Sequence, residues 1–336
     1  MSDADRDLLL RLRDGVVSGD VLAREAGQTR AAVWKRIEAL RASGVGIVAR
    51  PGRGYALEQP VDLLDAGRIR GLLSAETMAL LAELDVAWSV DSTNAELLRR
   101  QAPAAGTDVL MAERQTAGRG RRGREWASPL AANLYLSASR LFAGGLARLG
   151  GLSLVAGVAV AQALHGLGFR AVQLKWPNDL VVADPGVAGG LRKLGGLLVE
   201  GGGEHAGPVR AVVGIGLNIR MPPSAAGVIG QPWIDLASLD AALRPDRDAL
   251  AAAVLERLLP ALSRFDAAGL GPFLEAYATC DALAGKAVDV QTGRGVVAGT
   301  CLGVAADGAL RILDGDGERS FHAGEVSVRA SGEAAP

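Results

Sequence analysis

The stretch of sequence that decides the fold of the central region is VLMAERQTAGRGRRGREW, residues 109–126. Its first four residues are apolar and predict a buried strand. The three glycines that follow match the G-x-G-x-x-G pattern of dinucleotide-binding folds, which also requires a helix directly after the glycines. Here Trp126 and Pro129 lead into a second predicted strand, 133–137. The stretch therefore predicts two strands joined by a glycine- and arginine-rich loop, and it excludes a dinucleotide-binding turn.

Five arginines crowd this loop, within residues 113–126. Because neighbouring guanidinium groups repel one another and glycines leave the backbone free, we expect the loop to be mobile until an anionic ligand orders it. The alternative is a solvated basic loop, since runs of charge usually lie on exposed faces. The motifs described below favour the anion-binding interpretation.

The region around this loop, from about residue 62 to 280, alternates predicted strands with predicted helices, which indicates a mixed β-sheet backed by helices in an α+β fold. Residues 149–169 carry no charge, but their glycines, alanines and polar residues predict a buried helix rather than a membrane span. The strands are predicted at 86–90, 109–112, 133–137, 172–176, 180–183, 194–200 and 210–218. The helices are predicted at 94–100, 146–168, 248–267 and 272–277.

The N-terminal region predicts a winged helix-turn-helix. Asp20 and Thr29 are the expected N-caps of its second and third helices. A hairpin with a basic tip at 50–54 follows, and this hairpin is the wing. The three helices are predicted at 5–13, 18–26 and 30–42, and the two hairpin strands at 47–49 and 55–57.

Charge indicates what this small domain binds. Between Arg24 and Tyr55 there are seven Lys or Arg residues and two Glu residues, in a chain whose net charge is −1. Such a local excess predicts phosphate contacts and DNA binding, and specific binding would require a dimer on a two-fold related operator. The alternative is a structural or protein-binding module. The candidate DNA-binding residues are Thr29, Arg30, Trp34, Lys35, Arg50 and Arg53.

The C-terminal region predicts a small SH3-like β-barrel, since short strands alternate with Gly and Asp turns. The two cysteines and three histidines (165, 205 and 322) show no metal-ligand spacing, so we expect neither a disulfide framework nor a zinc site. The acidic start lacks the basic and apolar parts of a secretory signal, and we expect a cytoplasmic protein. The barrel strands are predicted at 287–290, 296–302, 310–313, 319–322 and 326–328.

Five motifs together resemble those of the bifunctional biotin protein ligases, which also repress biotin operons. They are Asp91-Ser92-Thr93-Asn94, the loop from Gly118 to Trp126, Lys175-Trp176-Pro177-Asn178-Asp179, residues 192–200 (RKLGGLLVE) and Gly214-Ile215-Gly216-Leu217-Asn218. With the winged domain and the barrel, the resemblance covers nearly the whole chain. It implies a winged domain at 1–58, a catalytic domain of the biotin/lipoate ligase fold at 62–280 and a barrel at 283–330.

The chemistry of such an enzyme requires fixed cations, because joining a carboxylate to the α-phosphate of ATP brings two anions together. Lys193, Arg119 and Arg121 are the candidate catalytic residues, and the resemblance implies that Lys193 bridges the biotin carboxylate and the α-phosphate. The residues implied in biotin binding are Ser92, Thr93, Asn94, Gln115, Gly118, Arg119, Gly120, Arg121, Lys193, Gly196 and Gly214. Those implied in ATP or adenylate binding are Trp126, Arg121, Arg122, Asn178, Asp179, Lys193 and Asn218.

The resemblance also implies biotin, ATP and Mg²⁺ as ligands, with Asp179 near the magnesium. The implied partners are a biotin carboxyl carrier protein, operator DNA and a second copy of the chain once the adenylate is bound. Three alternatives stay open: a lipoate ligase of related fold, a ligand-sensing transcription factor without enzyme activity, and a ligase whose winged domain no longer binds DNA. Two features depart from the family pattern, a longer connection at 183–190 beside Lys193 and a tryptophan, Trp34, on the exposed face of the third helix.

Overall fold

A computed structural model describes residues 3–143, 145, 149–202, 208–227, 229–243, 246–293, 295–323 and 327–330. It comprises an N-terminal winged domain, a central seven-stranded sheet with helices, and a C-terminal five-stranded sheet. The predicted fold class is therefore confirmed. Of the three histidines, His205 lies outside the described residues.

The winged domain consists of α1 (Asp3–Arg13), α2 (Gly19–Glu25), α3 (Arg30–Ala42), β1 (Ile47–Arg50) and β2 (Gly54–Leu57). Thr29 caps α3 as predicted, accepting a hydrogen bond from Ala32 N at 3.2 Å. The prediction that Asp20 caps α2 was wrong. The cap is Ser18, because its backbone is extended and its hydroxyl accepts from Val21 N at 3.2 Å, while Asp20 lies in the first turn and pairs with Arg30.

The central domain is built on a sheet of order β3-β4-β5-β9-β8-β7-β6, in which only the β3–β4 pair is parallel. Its strands are β3 (Leu81–Ala87), β4 (Thr107–Ala112), β5 (Leu134–Phe142), β6 (Val172–Lys175), β7 (Asp179–Ala183), β8 (Leu191–Gly202) and β9 (Val209–Leu217). Its helices are α4 (Ala66–Leu72), α5 (Ala75–Ala79), α6 (Thr93–Arg99), α7 (Leu152–Gly166), α8 (Pro223–Ala226), α9 (Leu236–Leu239), α10 (Arg247–Ala268) and α11 (Leu274–Cys280).

The predicted strands all occur, but several boundaries were wrong. The first strand, predicted at 86–90, runs from Leu81 to Ala87, and it was misplaced because exposed Glu83 and half-buried Asp85 interrupt its apolar pattern. The helix predicted from residue 146 begins at Leu152, because the backbone of Gly151 has a φ of 84°, which is not helical. Residues 146–148 lie outside the described part. The helices α4 and α5 were not predicted, since they have only seven and five residues and the apolar repeat is short.

Helix α7 is the centre of the hydrophobic core, where it packs against α10 and the sheet. The uncharged segment at 149–169 is therefore core, as predicted. In the part of the chain that the structure describes, no helix is both long enough and apolar enough to cross a bilayer.

The C-terminal strands are β10 (Ala287–Thr292), β11 (Gly295–Val304), β12 (Leu310–Asp314), β13 (Gly317–Phe321) and β14 (Ser327–Ala330), in the antiparallel order β13-β12-β11-β10-β14. The buried side of this sheet belongs to the same hydrophobic cluster as the central domain. Trp176 Nε1 donates to Gly308 O at 3.1 Å across the junction. The two domains therefore share one core, and the C-terminal sheet is held beside the site described below.

A short segment between the arginine-rich loop and β5 joins the central domain to the winged domain. Leu130 is 3% exposed and packs within the hydrophobic core of the winged domain. Its backbone N donates to Ser43 O at 2.8 Å, and Arg114 Nη1 donates to Ser43 Oγ at 2.8 Å. The C-terminal end of α3 is thus attached to residues that lie one to four positions from the candidate site.

Candidate active site

A cavity of about 310 Å³ lies where the arginine-rich loop crosses β7, β8 and β9. It brings together segments that are far apart in the sequence. The predicted site residues that line it are Ser92, Thr93, Asn94, Gln115, Arg119, Gly120, Arg121, Arg122, Trp126, Asn178, Asp179, Lys193, Gly196 and Gly214. Two predicted site residues, Gly118 and Asn218, are not among its lining.

One end of the cavity is buried and polar, and it is formed at the start of α6. Gln115 Oε1 accepts hydrogen bonds from Thr93 N at 2.9 Å and Thr93 Oγ1 at 3.1 Å, and Gln115 Nε2 donates to Ser128 Oγ at 3.1 Å. Ser137 Oγ, on β5, lies 2.7 Å from Thr93 Oγ1 and 2.6 Å from Asn94 Oδ1. This network fixes the side chains in place, so the polar end is shaped before any ligand binds.

Lys193 lines the cavity from β8. Its Nζ lies 2.7 Å from Asp179 Oδ1 and 5.6 Å from the centroid of the Trp126 ring. Leu194 is the extra residue of a β-bulge in the β7–β8 pairing, a feature that redirects the side chains beside it. The backbone is clamped on the other side, where Lys193 N donates to Pro232 O at 3.0 Å and Ile234 N donates to Lys193 O at 2.9 Å.

The arginine-rich loop is folded over the cavity by its own hydrogen bonds. Gly120 N donates to Arg124 O at 2.7 Å, and Trp126 N donates to Gly118 O at 2.9 Å. Arg121 donates to Asn178 Oδ1 at 3.2 Å and to Ala323 O, in the turn that follows β13. Burial, followed by the repulsion of Arg122, lowers the pKa of Arg121 from its ordinary value, and the guanidinium stays protonated.

Glu200 connects this loop to the polar end of the cavity. One of its oxygens lies 3.2 Å from Arg119 Nη2, and the other accepts from Asn94 Nδ2 at 2.8 Å. Glu200 belongs to the motif at 192–200, but neither it nor Ser137 carries a sequence signal that predicts a role in the site. Both residues lie on strands and support the cavity, so only their spatial neighbours identify them.

Two glycines of β9 leave room for the side chains of Asn94 and Trp126, which line the cavity. A Cβ at Gly214 would lie 2.4 Å from Asn94 Oδ1, and one at Gly216 would lie 2.5 Å from Trp126 Cε2. Both distances are well inside van der Waals contact. The Gly-x-Gly spacing of this motif therefore lets a buried amide and an indole ring approach the strand.

Gly118 and Asn218 support the site from behind. Gly118 is packed against Ser128 and Trp126, where an added Cβ would lie 2.7 Å from the Ser128 hydroxyl. Asn218 Nδ2 donates to Ile234 O at 3.1 Å and so holds the segment that clamps Lys193.

The cavity lining also includes residues that the sequence did not predict, since they carry neither charge nor a motif. They are Ala188, Gly230, Gln231, Pro232 and Val328.

Other predicted features are placed as follows. His165 Nε2 lies 2.8 Å from Val172 O, and His322 is exposed. The two cysteines, Cys280 and Cys301, are free and buried. Over the described ranges, no group of three or more His, Cys, Asp or Glu side chains could hold a metal ion.

Comparison with known proteins agrees with this geometry. The model of the biotin/lipoate A/B protein ligase family matches residues 86–218, an HTH domain model matches 6–56, and the biotin protein ligase C terminal domain model matches 284–329. The bifunctional ligase/repressor BirA of Salmonella typhimurium is 39% identical over 326 residues, which cover 96% of this chain and 97% of that protein. This chain belongs to the family of bifunctional biotin ligase/repressors.

Two further relatives support the assignment. BirA of Escherichia coli is 39% identical over 315 residues, covering 94% of this chain and 93% of that protein. The solved structure of the biotin protein ligase from Aquifex aeolicus in complex with biotin and ATP matches at a TM-score of 0.60 and 27% identity, covering 74% of this chain and all of that one. The enzyme is therefore a biotin protein ligase, and its helix-turn-helix domain is that of a repressor.

Proposed function

We propose that the cavity joins the carboxylate of biotin to the α-phosphate of ATP, with Lys193 at the point where the two anions meet. One observation carries this proposal: Lys193 Nζ stands inside a cavity that has a buried hydrogen-bonding end at Thr93 and Gln115 and an arginine-rich loop at its side. The buried end suits the polar head group of biotin. The cations suit the phosphates.

In the first step, a carboxylate oxygen of biotin attacks the α-phosphorus of ATP, a P–O bond forms, and the bond to pyrophosphate breaks. Negative charge gathers between the two reactants, and Lys193 with Arg119 and Arg121 offsets it. The ion pair of Lys193 with Asp179 keeps the ammonium positioned before substrate arrives. Trp126 covers the adenylate, and Asn178 and Arg122 contact the nucleotide.

Magnesium enters with ATP as part of that substrate. Asp179 and Glu125 are the carboxylates that line the described cavity, which fits the one or two carboxylates that proteins usually contribute to such an ion. Their role is to orient the phosphates, and no step is assigned to a metal held by the protein alone.

In the second step, the amine of a carrier lysine attacks the acyl carbon of the adenylate, and AMP leaves with the electron pair of the broken bond. The enzyme needs no covalent intermediate. We propose a biotin carboxyl carrier protein as the partner, cytoplasmic location, and domain boundaries at 1–58, 62–280 and 283–330. We further propose that the adenylate-bound ligase dimerises and represses biotin-synthesis genes through the winged domain.

The test is Lys193→Ala, measured by pyrophosphate release with biotin and ATP. A unit charge about 4 Å from a developing charge at a partly exposed site contributes about 4 kcal/mol, so adenylate formation should fall about 10³-fold. Lys286→Ala, at an exposed lysine just before β10, is the matched control and should leave the rate unchanged. Unchanged release by the Lys193 variant, with the fold intact by circular dichroism, would favour a ligand sensor instead.

A second measurement separates biotin from lipoate. Radiolabelled biotin and radiolabelled lipoate are each offered with ATP and a carrier domain. Transfer of biotin alone is expected, and transfer of lipoate without biotin would overturn the substrate assignment.

A further inference from the structure

Trp34 is a large apolar side chain that the core of the winged domain does not use. It is the fifth residue of α3, and it is 52% exposed, whereas Val33 and Ile37 of the same helix are buried. Arg30 lies one helical turn before it on the same face, and Lys35 is its exposed neighbour. The early turns of such a helix are those that approach base edges in helix-turn-helix complexes.

The charges near this ring indicate what it meets. Seven Lys or Arg residues lie between residues 24 and 55, and three of them pair with carboxylates: Arg30 with Asp20, Arg36 with Asp5, and Arg41 with Glu38. The remaining four are Arg24, Lys35, Arg50 and Arg53, all exposed and without an ion pair within the described residues.

These four cations occur both on the helices and on the wing, where Arg50 and Arg53 flank the hairpin turn. Such an arrangement suits phosphates on either side of a groove. The half-exposed ring of Trp34 lies on the second turn of α3, in the part of such a helix that approaches base edges. In the major groove the apolar group on those edges is the C5-methyl of thymine, which protein side chains read by apolar contact.

We propose that Trp34 determines operator specificity by packing its indole ring against thymine methyl groups in the major groove. This inference rests on the proposed repressor function and adds to it the base that the domain selects. The unpaired cations set affinity for any sequence, and Trp34 sets the preference for thymine.

The experiment begins with a randomised DNA duplex library, from which the full-length ligase with biotin and ATP selects its sites. Each thymine of the selected half-site is then replaced by deoxyuridine, which removes only the methyl group. For one or two positions in each half-site, affinity should fall about fourfold per methyl, the equivalent of about 0.8 kcal/mol for a buried CH₂-sized group.

The same duplexes are bound by Trp34→Ala and by Lys35→Ala. The Trp34 variant should bind the thymine and deoxyuridine duplexes equally well, because the contact that distinguishes them is gone. The Lys35 variant should keep the fourfold discrimination while its salt dependence becomes shallower by about one unit. Both variants should retain pyrophosphate release, since neither residue lines the cavity.

The outcomes separate the two proposals. If the wild-type ligase selects no sequence, the repressor function fails. If it selects a site and Trp34→Ala still discriminates thymine from deoxyuridine, the inference about Trp34 is overturned. If Trp34→Ala loses DNA binding only because the dimer dissociates, which sedimentation measures, Trp34 belongs to a protein interface and the inference is likewise overturned.

Discussion

Gly216→Ala tests whether the glycines of β9 create the space for Trp126. The added Cβ would lie 2.5 Å from Trp126 Cε2 and 2.7 Å from its Cζ2 and Nε1. Carbon atoms pack best at about 3.5–4.0 Å, so the ring or the strand must move by about 1 Å. Overpacking of this kind costs about 1–3 kcal/mol. If the ring is displaced from the nucleotide side of the cavity, the KM for ATP should rise about 5- to 150-fold.

The assay is pyrophosphate release as a function of ATP at saturating biotin, with thermal unfolding measured in parallel. Gly202→Ala is the matched control, because Gly202 lies on β8 with nothing within 4 Å of the added Cβ. In the Gly216→Ala background, Trp126→Phe should recover part of the loss, since a smaller ring relieves the clash. An unchanged KM for ATP, or a second substitution that merely adds to the first, would refute the steric reasoning.

Three further predictions follow from the described contacts. Amide hydrogen exchange at 117–124 should slow when biotin and ATP are added, since the ligand holds the loop, and equal exchange with and without ligand would contradict it. Leu130→Ala should lower the free energy of unfolding of the winged domain by about 2–5 kcal/mol, whereas Leu302→Ala on an exposed face should change it little in a denaturant melt. Burial raises the pKa of Cys301 to about 11. Between about pH 9 and 11 the thiol ionises readily only in the unfolded state, so the free energy of unfolding of the wild type should fall relative to that of Cys301→Ala. Parallel curves of unfolding free energy against pH for the two proteins would argue against this.

The sequence predicted elements best where a local pattern was strong. The wing was predicted because a turn of Pro and Gly separates two short apolar runs, and both strands were found. Helix α10 was predicted to within one residue because its apolar repeat runs for six turns. The helices at 66–72 and 75–79 were missed, since elements this short depend on packing against α10 and β3 more than on their own periodicity.

The site shows the same division. Charge alone picked out the arginine-rich loop, whereas the roles of Lys193 and of residues 92–94 came from the resemblance of their motifs to those of the biotin protein ligases. Ala188 and Val328 carry no such signal, yet they line the same cavity. They were not predicted because they contribute only to the shape of the cavity wall, and that shape depends on which distant segments of the chain meet in the fold.

The sequence by itself therefore determined the order of the three domains, the chemistry available to the site, and the basic character of the wing, since all of these depend on local composition and spacing. Tertiary structure alone decided that a bulge beside Lys193 redirects the strand, that Glu200 and Ser137 hold the loop and the polar end together, and that Leu130 fastens the winged domain to the site. These contacts join residues far apart in the chain, and their free energy is gained only when the whole fold brings those residues together.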